Sequence, residues 1–229
     1  MFIDRYDAGT QLALLLSDYK IPDAIVYALP RGGVVIGYEI AQRLGIPLEL
    51  VITRKIGHPQ CPEYAIGIVS ETGKYIINEK EEFIDKRWLE KEIRKEQGEA
   101  IRRQKTYCTG HQEITGKGKT AIIVDDGVAT GLSLSLAVNV VKAKEPKEIV
   151  VAVPVISQEI ANSISNISDR LVALEIIKDT FGSVSEYYEN FDQLSDERVM
   201  KLLSKIWKMK LLSLTGLFRL ILFLHFVAR

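Results

Sequence analysis

Cysteine is nearly missing from this chain. The two present, Cys61 and Cys108, stand in no Cys-x-x-Cys or Cys/His ligand spacing, so no zinc site is readable. Two free thiols in a reducing compartment are the simpler expectation, although the sequence alone leaves a bridge between them open. An excess of one charge is missing too: Lys plus Arg and Asp plus Glu are 30 each. That balance argues against a general nucleic-acid or membrane-surface role, so any anion site must be local. The opening Met1-Phe2-Ile3-Asp4-Arg5-Tyr6-Asp7 has neither a basic start nor a long apolar core, so it does not read as a signal peptide, and a cytoplasmic protein is expected. Repeats and low-complexity segments are absent. A clean run of membrane length is also lacking. Residues 211–227 are strongly apolar but short of the about 20 residues a span takes. Arg219 sits mid-run at a real cost, and His225 interrupts it again. The apolar tail 207–229 therefore reads as an interfacial helix, an oligomer contact or a segment with no selected structure, with a true span disfavoured.

What is present is ordinary for a packed domain. At 229 residues, 47% apolar and 26% charged, the chain fits one α/β unit with additions. Leu12, Leu15, Leu16 and Tyr19 recur at helical spacing, predicting a helix over 7–19 that Pro22 stops. Short, continuously apolar runs follow at 24–29, 48–53, 122–124, 148–155 and 171–176, as expected for strands buried on both faces. Helical periodicity over 34–44 (with Gly45 as C-cap), 131–143 and 158–167 alternates with them. Such alternation implies right-handed crossovers and a mostly parallel, Rossmann-like sheet flanked by helices. Residues 66–70 and 74–77, around Glu71-Thr72-Gly73, read as a hairpin. Residues 79–107 read as a charged helical insertion broken near Gly98. Its basic cluster (Arg94, Lys95, Arg102, Arg103, Lys105) is either a solvated face or an arm closing over a charged substrate, the former being the plainer reading. Ser195 is expected to cap a last helix, with Leu194 and Val199 as a hydrophobic staple and Val199, Leu202, Leu203 and Ile206 as its buried stripe.

Three strand ends carry chemistry. Val124-Asp125-Asp126-Gly127-Val128-Ala129-Thr130-Gly131-Leu132-Ser133 ends an apolar run in two acids and a turn of small residues. Parallel sheets bind ligands at the carboxyl ends of their strands. A tight turn into a helix aims N–H groups at one point, which suits a phosphate, and Thr130 and Ser133 add hydroxyl donors. Ionised carboxylates only accept, so Asp125 and Asp126 suit hydroxyls or a hydrated cation. The pairing describes a ribose 5-phosphate binder. At a second strand end, Pro30-Arg31-Gly32-Gly33 joins a fork-shaped donor to glycines that admit a ligand close to the backbone. Taken alone, this glycine turn serves packing equally well. At the third strand end, that of the run 48–53, Arg54-Lys55 stand either as ligand contacts or as a strand's exit into solvent. The stretch 57–67, with its prolines and glycines, reads as a loop. Within it His58 is a conceivable base but more plainly a surface residue. Gly118-Lys119-Thr120 imitates the end of a P-loop. However, the earlier glycine such a loop needs is replaced by Glu113, and the segment precedes a strand instead of following one, so that reading is rejected.

The acid loop resembles the phosphoribosyl pyrophosphate (PRPP) loop of the type I phosphoribosyltransferases. The wider set, Asp4-Arg5-x-x-Ala8-Gly9, Ala28-Leu29-Pro30-Arg31-Gly32-Gly33, Arg54-Lys55-x-Gly57 and Tyr188-x-x-Phe191-x-Gln193, resembles a prokaryotic branch of that family, for which no acceptor is implied. The resemblance spans roughly 2–206. It implies a phosphoribosyltransferase domain over 1–206, with 79–107 as insertion and 178–206 as hood and C-terminal helix. It further implies Mg²⁺-dependent transfer of the 5-phosphoribosyl group to a nitrogenous base or amine with loss of pyrophosphate. Asp125 and Asp126 would hold the ribose. Gly127, Val128, Ala129, Thr130, Gly131 and Ser133 would wrap the 5-phosphate. Arg31, Lys55, Arg54, Gly32 and Gly33 would meet the pyrophosphate. The metal would be carried by PRPP, touching Asp125 or Asp126 at most through water. In the aromatic segment 181–191, Phe181, Tyr187 and Tyr188 are candidates to stack on a flat base, with packing in a satellite core the equal alternative. A homodimer stays open. The rival readings are a PRPP- or nucleotide-sensing regulator without turnover, and hydrolysis of a phosphorylated sugar by the same acids.

Overall fold

The computed structural model describes residues 1–19, 23–78 and 84–208. The Pro22 helix stop, residues 79–83 of the insertion and the tail from 209 onward lie outside these.

Helix α1 spans Arg5–Leu15, starting earlier than the apolar spacing predicts, because the Asp4 carboxylate caps it by accepting from the Tyr6 and Asp7 amides. Strand β1 (Ala24–Ala28) is wholly buried, and α2 (Gly32–Leu44) follows, closed as expected by Gly45 at φ 68°. Strands β2 (Leu48–Leu50), β6 (Thr120–Val124), β7 (Glu148–Ser157) and β8 (Arg170–Ile177) join β1 in one sheet. Its order is β2-β1-β6-β7-β8, every neighbouring pair parallel. Alternate side chains feed two cores, as a two-residue repeat requires. Val26, Ala28, Ile122 and Val124 pack under α1 and α2; Ile25, Tyr27, Ala121 and Ile123 pack under α4 (Leu132–Lys142) and α5 (Gln158–Ser165). The mostly parallel α/β sheet expected from the sequence is therefore the architecture observed.

The segment after β2 departs from expectation. The apolar run 48–53 does not form one strand ending in Arg54-Lys55. It breaks after Leu50, and Thr53 opens β3 (Thr53–His58), which pairs antiparallel with β4 (Cys61–Ser70) and then β5 (Tyr75–Ile77). The expected loop 57–67 is largely a hairpin with its turn at 59–60. Its glycines and prolines are bulge and turn residues: the register shifts at Gly57, where an added Cβ would lie 2.4 Å from the Pro62 carbonyl. The hairpin expected over 66–77 is present as β4–β5.

Helix α3 (Lys86–Tyr107) runs unbroken through Gly98. The predicted break is absent because a lone glycine costs a helix only about 1 kcal/mol, and ion pairs support both flanks, Lys95–Glu92 at 2.5 Å and Arg102–Glu99 at 2.7 Å. The last helix, α6, covers 196–208, with the Ser195 hydroxyl accepting from the Arg198 amide and Val199, Leu202, Leu203 and Ile206 buried as predicted. Its Trp207 indole donates to the Leu48 carbonyl (2.9 Å) and so covers the β2 edge. Among the described residues no helix is long and apolar enough to cross a membrane.

Candidate functional site

In a sheet ordered this way the chain leaves β1 toward β2 on one side and reappears in β6 on the other. Loops after β1 and β6 then diverge to opposite faces and leave a crevice between them, where ligands of such sheets bind. Here those loops are Leu29–Arg31 and the acid turn after Val124. They are tied together by the Leu29 amide, which donates to the Val124 carbonyl at 3.1 Å. The Pro30–Arg31 peptide is cis. The two glycines have a steric reason. A Cβ on Gly32 would sit 1.8 Å from Asp126 Oδ2, and one on Gly33 would sit 2.8 Å from the Val124 carbonyl. Gly32, Gly33, Asp125 and Asp126 are thus one contiguous surface.

The acids are not equivalent. Asp125 Oδ1 accepts the Asp126 amide at 2.9 Å. Burial, and then the neighbouring Asp126 charge, pushes the Asp125 carboxyl well above the usual range. Asp126 instead has a cation: its Oδ2 accepts from Arg5 Nε at 2.7 Å, the side chains being 17% and 10% exposed. The Asp126 carbonyl accepts from the buried Tyr188 hydroxyl at 2.6 Å.

Beyond the acids, the loop divides its residues. Val128 is buried, and its amide is taken by the Val155 carbonyl at 3.0 Å, so it anchors the loop and has no amide left for an anion. Ala129 and Thr130 are exposed. Gly131, at φ 73°, is the N-cap of α4 and makes no side-chain cap bond. The first-turn amides of α4 therefore lack the acceptor a Ser or Asp cap would supply, an arrangement suited to an anion. Ser133 in that first turn lines a cleft of about 520 Å³ together with Pro30, Arg54, Lys55, His58, Trp88 and Arg103. β3 and α3 thus bring Arg54 and Lys55 to the site from a second sheet, not from a strand end of the main one.

Several expected residues are otherwise engaged. Arg54 is paired with Glu96 of α3 (Nε–Oε2 2.9 Å, Nη2–Oε2 2.8 Å). Lys55 is exposed and has no ion pair among the described residues. Arg31 lies 3.8 Å from Asp196, which also accepts from the Tyr107 hydroxyl at 2.6 Å. His58 accepts the Gln60 amide at Nδ1 (3.1 Å) and so holds the β3–β4 turn. Of the aromatics, Tyr188 cannot stack on a ligand, because it lies in the core between Phe2 (5.3 Å) and Phe191 (4.9 Å). Phe181 and Tyr187 stack on each other at 5.4 Å. Their segment leans on the acid loop, with Val184 Cγ1 2.4 Å from where a Gly127 Cβ would stand.

Arg5 enters the sequence reading only within the Asp4-Arg5-x-x-Ala8-Gly9 motif and with no role of its own, although a signal existed. A guanidinium in the first turn of a helix stands at the wrong end of the dipole and so asks for another reason. Arg103, one of the basic cluster on the helix that reads more plainly as a solvated face, does line the cleft, and Trp88 beside it carried no functional expectation.

Over residues 6–191 the chain matches the family model described as the phosphoribosyl transferase domain. It is 35% identical over 208 residues to proteins of two Mycobacterium tuberculosis strains (CDC 1551 / Oshkosh and ATCC 25618 / H37Rv), each provisionally named a phosphoribosyl transferase. The match covers 90% of this chain and 47% of theirs, so the chain spans about half the length of the curated relatives it matches. The crystal structure of TT1426 from Thermus thermophilus is similar with a TM-score of 0.74 at 37% identity, covering 88% of this chain and 97% of that one.

Proposed function

We propose that this chain, which belongs to the phosphoribosyl transferase domain family, transfers the 5-phosphoribosyl group of PRPP to a nitrogenous acceptor and releases pyrophosphate. The observation that carries the reading is the seating of the Asp125-Asp126 turn on Gly32-Gly33 at the β1/β6 crevice, next to a helix N-terminus without a side-chain cap. Acceptors for sugar hydroxyls and donors for a phosphate lie side by side there.

In this reading the ribose hydroxyls donate to Asp125 and Asp126. The 5-phosphate meets the α4 amides, Thr130 and Ser133. Pyrophosphate lies toward Arg31, Arg54, Lys55 and the glycine turn. The anomeric C–O bond to pyrophosphate breaks, a C–N bond to the acceptor forms, and the acceptor's proton leaves. No side chain need act as nucleophile, since orientation and charge stabilisation carry most of the barrier reduction. The two acids are hard oxygen donors of the kind magnesium accepts, and an ion entering on the diphosphate would be held beside them through water. It would supply positive charge to the leaving group. The hood is assigned to 178–206, whose Val184 and Tyr188 touch the acid loop.

Pyrophosphate release from PRPP with Mg²⁺, measured against purines, pyrimidines and simple amines, tests this. Acceptor-dependent release is expected. Binding without release for every acceptor would instead favour a sensor, and release independent of acceptor a hydrolase. Gly32→Ala gives a sharper check. Its Cβ must displace the Asp126 carboxylate, and loss of one charge-assisted contact predicts PRPP binding weaker by at least about tenfold in calorimetry.

A further inference from the structure

Resting on that reading, the geometry points to Arg5 as a positioning residue that fixes the Asp126 carboxylate for its ribose hydroxyl. Arg5 is 9% exposed, at the start of α1. Its Nε–H donates to Asp126 Oδ2 at 2.7 Å, and its Nη1–H donates to the Asp192 carbonyl at 2.9 Å. The guanidinium lies 3.7 Å from the centroid of the Phe191 ring. A planar fork held at both ends and stacked on an aromatic face has little freedom left. The Tyr188 hydroxyl fixes the same aspartate from its backbone side.

This arrangement divides the oxygens of the acid pair. Asp126 Oδ2 is committed to Arg5, and Asp125 Oδ1 is committed to the Asp126 amide. Asp126 Oδ1 is not taken by Arg5 and is the oxygen offered to a sugar hydroxyl. Without Arg5, two adjacent carboxylates would stand together with no cation paired to either. Asp126 would then be free to turn, and its acceptor oxygen would lose its fixed direction. Because Arg5 is bound to the acid and not to the crevice, it acts through Asp126. Its contribution therefore belongs to substrate binding more than to turnover.

The test is a double-mutant cycle in the full chain, using PRPP with Mg²⁺ as ligand. Arg5→Met is expected to raise the PRPP dissociation constant and KM by about tenfold or more, the weight of one charge-assisted hydrogen bond. A change in kcat of less than about threefold is expected beside it. Arg5→Lys keeps the charge but loses the fork, so it should recover part of the affinity. In an Asp126→Asn background Arg5→Met should add less than about twofold, because the residue it acts through is already gone. Wild-type affinity in Arg5→Met, or losses that simply multiply in the double variant, would overturn the role. If Arg5→Met does not fold, Arg5→Lys with and without Asp126→Asn closes the same cycle. A wild-type chain that binds no PRPP would instead remove the functional reading itself, and this role with it.

Discussion

Asp125→Asn with Asp126→Asn is expected to weaken PRPP binding by at least about a hundredfold, from two charge-assisted hydrogen bonds lost together. Stability should respond in opposite directions in the two single variants. Asp125 is crowded by chain and by its neighbour's charge, which hold its carboxyl well above the usual range. Its folded value lies above its unfolded one, so the native state holds the proton more tightly. Stability from this group is present below the unfolded value and lost as pH rises. Asparagine keeps an acceptor for the Asp126 amide and removes that charge, so Asp125→Asn should melt at or above the wild-type temperature near neutral pH. Asp126→Asn removes the partner of the buried Arg5 and should melt lower, since an uncompensated buried charge is costly. Calorimetric titration and thermal melts of the three variants read all of this. Wild-type PRPP affinity in the double variant would refute the site.

Glu71→Gln should raise the melting temperature at pH 8 by roughly 5 °C or more while leaving PRPP binding alone. Glu71 follows β4, is 9% exposed, and its Oε2 is buried without a hydrogen-bond partner among the described residues. Burial pushes its carboxyl from 4.5 up to about 7, a shift that the nearby Lys144 charge partly offsets. The raised value means the folded chain binds this proton more tightly than the unfolded one. The associated stability is complete below pH 4.5, falls as pH rises toward 7, and is flat above. The full shift corresponds to about 3 kcal/mol as an upper bound. Glutamine carries no such proton, so the variant should lack this slope between about pH 5 and 7. Parallel pH profiles for wild type and Glu71→Gln would contradict the account. PRPP binding is spared because Glu71 lines a separate cavity of about 250 Å³ with Glu49, Cys108 and His111.

Much of this architecture was legible residue by residue, and the parts that were not share a cause. β1 and β6 are continuous apolar runs because both faces of a parallel sheet are covered, a property each strand shows by itself. Gly45 ends α2, and the stripe of α6 is buried, through rules that act within a few residues. The break of 48–53 into two strands is different. Leu50 and Thr53 read alike, and only the partners available to each, β1 for one and β4 for the other, separate them. Gly57, Pro59 and Pro62 read as loop because their bulge makes sense only against a paired strand. Tyr188 and Tyr187 read as equivalent aromatics until the packing of Phe2 and Phe191 claims one of them.

By itself, then, the sequence determined the strand-end loops, the acids and glycines in them, and the family they resemble. These depend on short-range backbone chemistry: where a buried strand must stop, where a turn admits only glycine, and which side chains can accept a hydroxyl. Only the tertiary structure decided that Gly32 touches Asp126, that Arg54 and Lys55 arrive from a second sheet, and that Arg5 holds one acid while the other is left crowded. Those relations join residues as far apart as Arg5 and Asp126. Partners at that separation are chosen by how helices and sheets pack, and no local pattern in the chain records the choice.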